Sequence, residues 1–209
     1  MNKIFITGVS GLLGQALVEM FLQNDFFVYG HYFQHQPEDQ DNAKWLQGDL
    51  SSLKKIRNFL GRNQPDLSGC KFLINNYGPI TIKDISALTA DDYCHDFFHN
   101  VLTAIEITDF FIQQTKLRSV INIGFENIGE IMPYKKVLPY AIAKNALLLI
   151  TKSHAETYRP IRFNLVSPVS LNGASEILKK NQTVSPRKVA RKIFRIIDSN
   201  KSGLNIMIK

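Results

Sequence analysis

Cysteine is nearly absent: the 209 residues include two, Cys70 and Cys94. That count excludes a disulfide-stapled scaffold and fits a reducing compartment. Neither cysteine belongs to a His/Cys cluster at metal-ligand spacing, so no metal site is expected. Long apolar runs are missing too. The opening stretch MNKIFITGVSGLLG has a short apolar run that glycines break, and it lacks a small-residue cleavage pattern, so it does not read as a secretion signal. Residues 146–150 are apolar but end at Thr151 and Lys152, well short of a membrane span. The expectation is a soluble, cytoplasmic protein with no membrane partner. No repeat, low-complexity tract or linker divides the chain, so one domain over residues 1–209 is expected.

A 44% hydrophobic content gives the chain enough apolar surface for a core. The net charge of +7 is uneven. Lys179, Lys180, Arg187, Lys188, Arg191, Lys192, Arg195, Lys201 and Lys209 crowd the C-terminal stretch, opposed there by Glu176 and Asp198. Such an end can attract nucleic acid, an acidic membrane surface or a phosphorylated ligand. However, Ser185 and Pro186 have the form of an N-cap and first helical residue. Val189, Ile193, Phe194 and Ile197 then recur at helical spacing and leave Arg187, Lys188, Arg191 and Arg195 on the solvent side. A solvated helix face explains the charge, and no nucleic-acid partner is expected.

Strand and helix patterns alternate from the first residues, as a parallel sheet with crossover helices requires. Strands are predicted at 3–6, 26–33, 71–75, 119–123, 162–166 and 204–208. Helices are predicted at 12–23, 52–60, 91–116, 139–158 and 187–198. The expected fold is α/β: a Rossmann-type, doubly wound parallel sheet of roughly seven strands, flanked by helices on both faces.

Two motifs carry chemistry. Thr7-Gly8-Val9-Ser10-Gly11-Leu12-Leu13-Gly14 lies between the first strand and the first helix. A pyrophosphate can rest on the free N–H groups at a helix N-terminus if the backbone comes close, which glycine permits. Strand, glycines and helix in sequence point to dinucleotide binding. In the second, Tyr140-Ala141-Ile142-Ala143-Lys144, a spacing of four puts tyrosine and lysine on one helix face. A lysine beside a tyrosine is expected to lower its pKa and make it a general acid/base near neutrality.

Together with other segments these motifs resemble the short-chain dehydrogenase/reductase family along nearly the whole chain. Asp49-Leu50 is similar to the family's adenine-binding acid and its neighbour. Asn75-Asn76-Tyr77-Gly78 is similar to Asn-Asn-Ala-Gly after the fourth strand. Asn100 falls where the family's asparagine holds a water in a proton relay, Ile121-Asn122-Ile123 matches strand five, and Ser167-Pro168 follows strand six. The resemblance implies Tyr140 as proton donor, Lys144 as its partner and ribose ligand, and Asn100 as relay support. It implies cofactor contacts from Thr7, Gly8, Ser10, Gly11, Leu12, Leu13, Gly14, Tyr32, Asp49, Leu50, Asn76, Tyr77, Gly78, Tyr140, Lys144, Pro168 and Val169. It also implies a homodimer or homotetramer packed through the helices around Asn100 and Tyr140.

The chain departs from the family after Ile123, where Gly124-Phe125-Glu126-Asn127 replaces the segment carrying the substrate-orienting serine. No Ser or Thr occurs between Gly124 and Tyr140. Phe125 aligns with the serine, Asn127 is the candidate to supply its hydrogen bond, and Glu126 is expected to be exposed. Pro168-Val169 stands for the family's Pro-Gly. At the end of the second strand, Gly30-His31-Tyr32-Phe33-Gln34-His35 has no acid before Glu38. A carboxylate there would bind a ribose 2′-OH and repel a 2′-phosphate, so NADP(H) is favoured over NAD(H), although no arginine is present to pair with the phosphate. His31-Tyr32 is also similar to pteridine reductases of the same family. The expected function is an NAD(P)H-dependent oxidoreductase acting on a small carbonyl, alcohol or cyclic imine. The alternative is a nucleotide-binding regulatory or scaffold protein of the same fold.

Overall fold

The short apolar runs form parallel strands because helices cover both of their faces. The computed structural model describes residues 1–113, 116–126, 128, 133–173 and 183–209. In chain order the elements are β1 (Asn2–Thr7), α1 (Leu12–Leu22), β2 (Phe26–Tyr32), β3 (Ala43–Gln47), α2 (Leu53–Arg62), α3 (Gln64–Leu67) and β4 (Phe72–Asn75). They continue as α4 (Ala90–Phe97), α5 (Thr103–Gln113), β5 (Ser119–Ile123), α6 (Leu138–Thr157), β6 (Arg162–Pro168), α7 (Pro186–Ile197) and β7 (Asn205–Ile208). The seven strands lie in the order β3-β2-β1-β4-β5-β6-β7, all parallel. The strand order reverses between β1 and β4, which opens a crevice beyond their C-terminal ends.

Alternation along the strands separates two cores. Ile4, Ile6, Phe72, Ile74, Ile121 and Ile123 face α1 and α7, where they meet Leu17, Phe21, Val189 and Ile193. Phe5, Leu73 and Val120 face the other way, onto Ile56 and Phe59 of α2 and Ile107 and Phe111 of α5. Between the strands a buried polar chain stands in for apolar contact: Asn75 Nδ2 donates to Asn122 Oδ1 at 2.8 Å, and Asn122 Nδ2 donates to Thr151 Oγ1 at 2.8 Å. It ties β4 and β5 to α6 directly beneath the crevice. The basic α7 is capped by Ser185, whose hydroxyl accepts from the Lys188 N–H, and buries Val189, Ile193 and Ile197. Among the described residues no helix is long and apolar enough to cross a membrane.

Two expectations change. The strand reading omits β3, an edge strand in which Leu46 alone is fully buried, so it lacks an apolar run. The predicted helix 91–116 is broken by a π-helical turn at Phe98–Leu102 between α4 and α5. There the Thr103 hydroxyl donates to Phe98 O at 3.2 Å, five residues back. Helical spacing alone does not distinguish that wider turn from continuous α-helix.

Candidate active site

The glycine turn is held from three sides. Gly8 has φ +70°, the left-handed conformation that glycine adopts without strain. Thr7 Oγ1 accepts from the Asn76 N–H at 3.0 Å and the Tyr77 N–H at 2.9 Å. Asn76 Nδ2 in return donates to Thr7 O and Gly8 O, each at 3.0 Å. Thr7 and Asn76 thus commit their side chains to joining the ends of β1 and β4. The third hold is His31, which the sequence reading noted at the end of strand two without giving it this role. Gly8 N–H donates to its Nδ1 at 3.3 Å, and its Nε2 lies 3.1 Å from Gly48 O, so Nε2 carries the proton.

Burial pushes the His31 imidazole down to about 4 from an ordinary 6.5. The unfolded chain takes up this proton near pH 6.5 and the folded chain only near 4, so stability rises with pH across that window. The full difference is worth about 3 kcal/mol. Thermal unfolding followed from pH 4 to 7 should show a falling midpoint toward acid that is shallower in His31→Gln. Equal slopes in the two proteins would remove His31 as the cause.

α1 starts at Gly11 with no side-chain cap and no acidic residue in its first turn, so its leading N–H groups are left for an anion. A Cβ built on Gly14 would collide with Gly8 O and the Val9 backbone, so the turn is folded tightly onto the helix. Ser10 turns its carbonyl to Gln15 Nε2 at 3.0 Å, and Leu12 is exposed beside Gly173. These features fit a dinucleotide pyrophosphate.

Strand alternation puts the Tyr32 side chain on the α1 face, in the core with Val9 and Trp45, where its hydroxyl donates to Gln36 Oε1 at 2.8 Å. The exposed residues after β2 are Phe33, Gln34 and His35. Beyond β3, Leu50 is buried, and Asp49 accepts from the Ser51 N–H at 2.8 Å and pairs with Lys55 at 2.6 Å. Those partners hold the Asp49 carboxyl down at about 2. Tyr77 packs edge-on against His31, and its hydroxyl is hydrogen-bonded to His99 Nδ1 at 2.9 Å. Burial pushes the Tyr77 phenol up to about 12.

A cavity of about 200 Å³ lies at the crevice, lined by Leu13, Asn76, Gly78, Phe125, Tyr140, Pro168 and Val169 among others. It brings the glycine turn, the β4 end, the tyrosine and the β6 end together. Lys144 lies beneath, its Nζ donating to Ile123 O at 2.8 Å and standing 5.3 Å from the Tyr140 ring centroid. The ammonium therefore lies over the Tyr140 ring. Burial, with a smaller contribution from the Asp96 charge, raises the Tyr140 pKa above its ordinary value. Burial also lowers Lys144 to about 7. This corrects the expectation that the lysine lowers the tyrosine pKa: burial moves it the other way. Asn100 Nδ2 donates to Pro79 O at 2.9 Å and Asp96 O at 3.0 Å, while its buried Oδ1 has no hydrogen-bond partner among the described residues.

Phe125 packs edge-on to Tyr140, with centroids 5.3 Å apart. A Cβ on Gly124 would lie 2.5 Å from Ser167 Oγ and 2.6 Å from Leu165 Cδ2, so the neighbouring position admits no side chain without a shift. Glu126, expected to be exposed, is 5% accessible. Asn127 lies outside the described residues. His95 and His99 lie with ring centroids 4.5 Å apart and planes tilted by 59°, but no group of three metal-ligating side chains forms among the described residues. Sequence reasoning also missed Asp96, fully buried on α4 and hidden in the sequence among other acids.

A parallel sheet with a glycine turn and a Tyr/Lys pair meeting at its switch point defines a Rossmann-type α/β fold. Residues 2–183 match the family model described as short chain dehydrogenase, and the chain belongs to this family of oxidoreductases. The uncharacterized oxidoreductase YvrD of Bacillus subtilis (strain 168) is 24% identical over 165 residues, which are 73% of this chain and 61% of that protein. The chain thus spans less than two thirds of that relative's length. A short chain dehydrogenase from Leptospira borgpetersenii serovar Hardjo-bovis (strain JB197), solved with bound NAD+, is 21% identical with a TM-score of 0.88, covering 100% of this chain and 91% of its own. A short chain dehydrogenase family protein from Francisella tularensis subsp. tularensis SCHU S4 is also 21% identical, with a TM-score of 0.85 over 100% of this chain and 97% of its own.

Proposed function

We propose that the protein is an NADP(H)-dependent oxidoreductase that interconverts a small carbonyl or cyclic imine with its alcohol or amine. The observation that carries this reading is the cavity where Leu13, Gly78, Tyr140, Pro168 and Val169 converge above Lys144. The turn from Gly8 to Gly14 would hold the pyrophosphate, Asp49, Leu50 and Tyr77 the adenine end, and Lys144 with Tyr140 the nicotinamide ribose. Pro168 and Val169 would border the nicotinamide. When bound, the nicotinamide supplies or accepts the hydride. Tyr140 transfers the proton at its hydroxyl. Phe125 packs edge-on against the phenol ring and offers no hydrogen bond to substrate. Phe97, Ile142 and Leu149, exposed apolar residues on α4 and α6, support docking of a second copy on that face.

The preference for NADP(H) rests on Phe33, Gln34 and His35, which place no carboxylate at the end of β2. Fluorescence titration is expected to give NADPH the tighter binding by roughly tenfold, about 1.4 kcal/mol. Tighter binding of NADH would overturn the preference.

A further inference from the structure

The cavity above Lys144 is walled mainly by apolar side chains, among them Leu13, Ile80, Phe125, Val169 and Leu171, and none of the described residues that line it is charged. The polar side chains around it are largely spent. Asn76 Nδ2 serves Thr7 O and Gly8 O, and Ser170 has a partner of its own. Thr81, beside Ile80, turns its hydroxyl to Asp96 Oδ1 at 2.7 Å. Phe125 is held from both sides. Before it, Gly124 N–H donates to Val166 O at 2.8 Å. After it, Ile128 O accepts from Asn205 Nδ2 at 3.1 Å, and Asn205 Oδ1 in turn accepts from the Ser167 hydroxyl at 2.7 Å. The loop is thus tied to β6 and β7, and the ring lies 6.1 Å from the Tyr134 ring and 5.3 Å from the Tyr140 ring, centroid to centroid. The neighbouring Gly124 offers no room for a donor side chain, because a Cβ there would meet Ser167 Oγ and Leu165 Cδ2. Among the described lining side chains, the Tyr140 hydroxyl is the donor left to a substrate.

We propose that this site takes neutral, electron-poor carbonyl compounds, with α-dicarbonyls as the type, in preference to simple ketones, ionised keto acids and polar cyclic imines. During reduction the hydride from the nicotinamide forms a C–H bond at the carbonyl carbon. The π pair moves to oxygen, which takes the Tyr140 proton, so the carbonyl is reduced to an alcohol, NADPH is oxidised to NADP+, and solvent returns a proton to Tyr140. Negative charge grows on the oxygen on the way, and one hydroxyl meets it here instead of two donors. A missing donor of this kind is worth about 10²–10³ in rate. A second carbonyl beside the reacting one draws off that charge and needs the missing donor less. A carboxylate in the same place would be buried against apolar walls with no counter-ion, and a pterin ring would bring several N–H and C=O groups to walls that cannot pair them.

The substrate class rests on the oxidoreductase reading of this cavity, and the test separates the two. Methyl pyruvate, pyruvate and butanone are of similar size and differ in activation and charge. With NADPH, kcat/KM for methyl pyruvate is expected to exceed that for pyruvate and for butanone by roughly a hundredfold or more. Methyl pyruvate is also the more reactive ketone in water, so Phe125→Ser, which puts a hydroxyl back beside Tyr140, supplies the control. In that variant the ratio of methyl pyruvate to butanone should shrink by roughly tenfold or more. A second readout needs no turnover. In cofactor-free protein with 13C-labelled methyl groups, methyl pyruvate should shift the Ile80 and Val169 signals, and pyruvate should leave them in place. Pyruvate or a dihydropterin reduced as fast as methyl pyruvate, or an unchanged ratio in folded Phe125→Ser, overturns the substrate class and leaves the oxidoreductase reading standing. So does methyl pyruvate that leaves both methyl signals unmoved, a result measured on the wild type. The oxidoreductase reading itself fails by a different result, the absence of NADPH oxidation with every acceptor tried.

Discussion

Gly14→Ala is expected to abolish dinucleotide binding and to lower stability at the same time. The added Cβ would collide with Gly8 O and lie 2.7 and 2.9 Å from Val9 Cα and C. All three are backbone atoms, so relief requires the whole turn to move away from α1. Overpacking of this kind costs about 1–3 kcal/mol, and each kcal/mol lowers the melting temperature of a chain this size by about 2–4 °C. Binding suffers more. If the moved turn loses two hydrogen bonds to a charged pyrophosphate, at about 1.5–3 kcal/mol each, affinity falls on the order of a hundredfold or more. Gly61→Ala is the contrast, since nothing lies within 4 Å of the Cβ it would add in α2. That change should raise stability by about 0.5–1 kcal/mol and leave NADPH binding unchanged. The pair is read by NADPH fluorescence titration and thermal melts, and wild-type affinity in Gly14→Ala would mean that the cofactor does not sit on this turn.

Why Gly14 was legible in the sequence and His31 was not is a matter of period and distance. The glycine turn, Asn75-Asn76-Tyr77-Gly78 and Tyr140/Lys144 are local patterns at the ends of elements with strong apolar periodicity. The switch-point geometry then brings them together without further information. The clamp of His31 on Gly8 and Gly48 joins residues 23 and 17 positions apart. No local pattern encodes it. The inward turn of the Tyr32 side chain is equally hidden, because the end of a strand shows two faces and packing against Trp45 and α1 decides which side chain turns inward. β3 escaped because an edge strand need not be apolar, and the π turn because one extra residue barely disturbs helical spacing. Asp96 is the most instructive omission. In sequence it is one acid among several, and only the folded loop carrying Thr81 makes it a buried carboxylate.

The same limit applies to charge. Spacing four on a helix correctly made Tyr140 and Lys144 neighbours, yet their electrostatics depend on how much water remains. With Phe125 against the ring and the Ile123 carbonyl taking the lysine proton donor, desolvation dominates both groups. The phenol is held in its neutral form and the ammonium is weakened.

Tyr140→Phe should therefore lower reductive turnover by on the order of a hundredfold or more, the usual worth of general acid catalysis. The ring remains, so its edge-on contact with Phe125 and its place 5.3 Å from Lys144 Nζ survive, and what is lost is one hydroxyl proton. NADPH affinity should change little, because the glycine turn and Lys144 are intact. The assay needs an acceptor, found by screening aldehydes, ketones, quinones and dihydropterins for NADPH oxidation. Acceptors that are already electron-poor should lead that screen, because Phe125 offers no hydrogen bond to polarise an ordinary ketone. A substrate that Tyr140→Phe reduces at the wild-type rate would remove Tyr140 as proton donor. A wild type that binds NADPH well and reduces nothing in the panel would instead favour a nucleotide-binding scaffold, in which Phe125 has closed the site to chemistry.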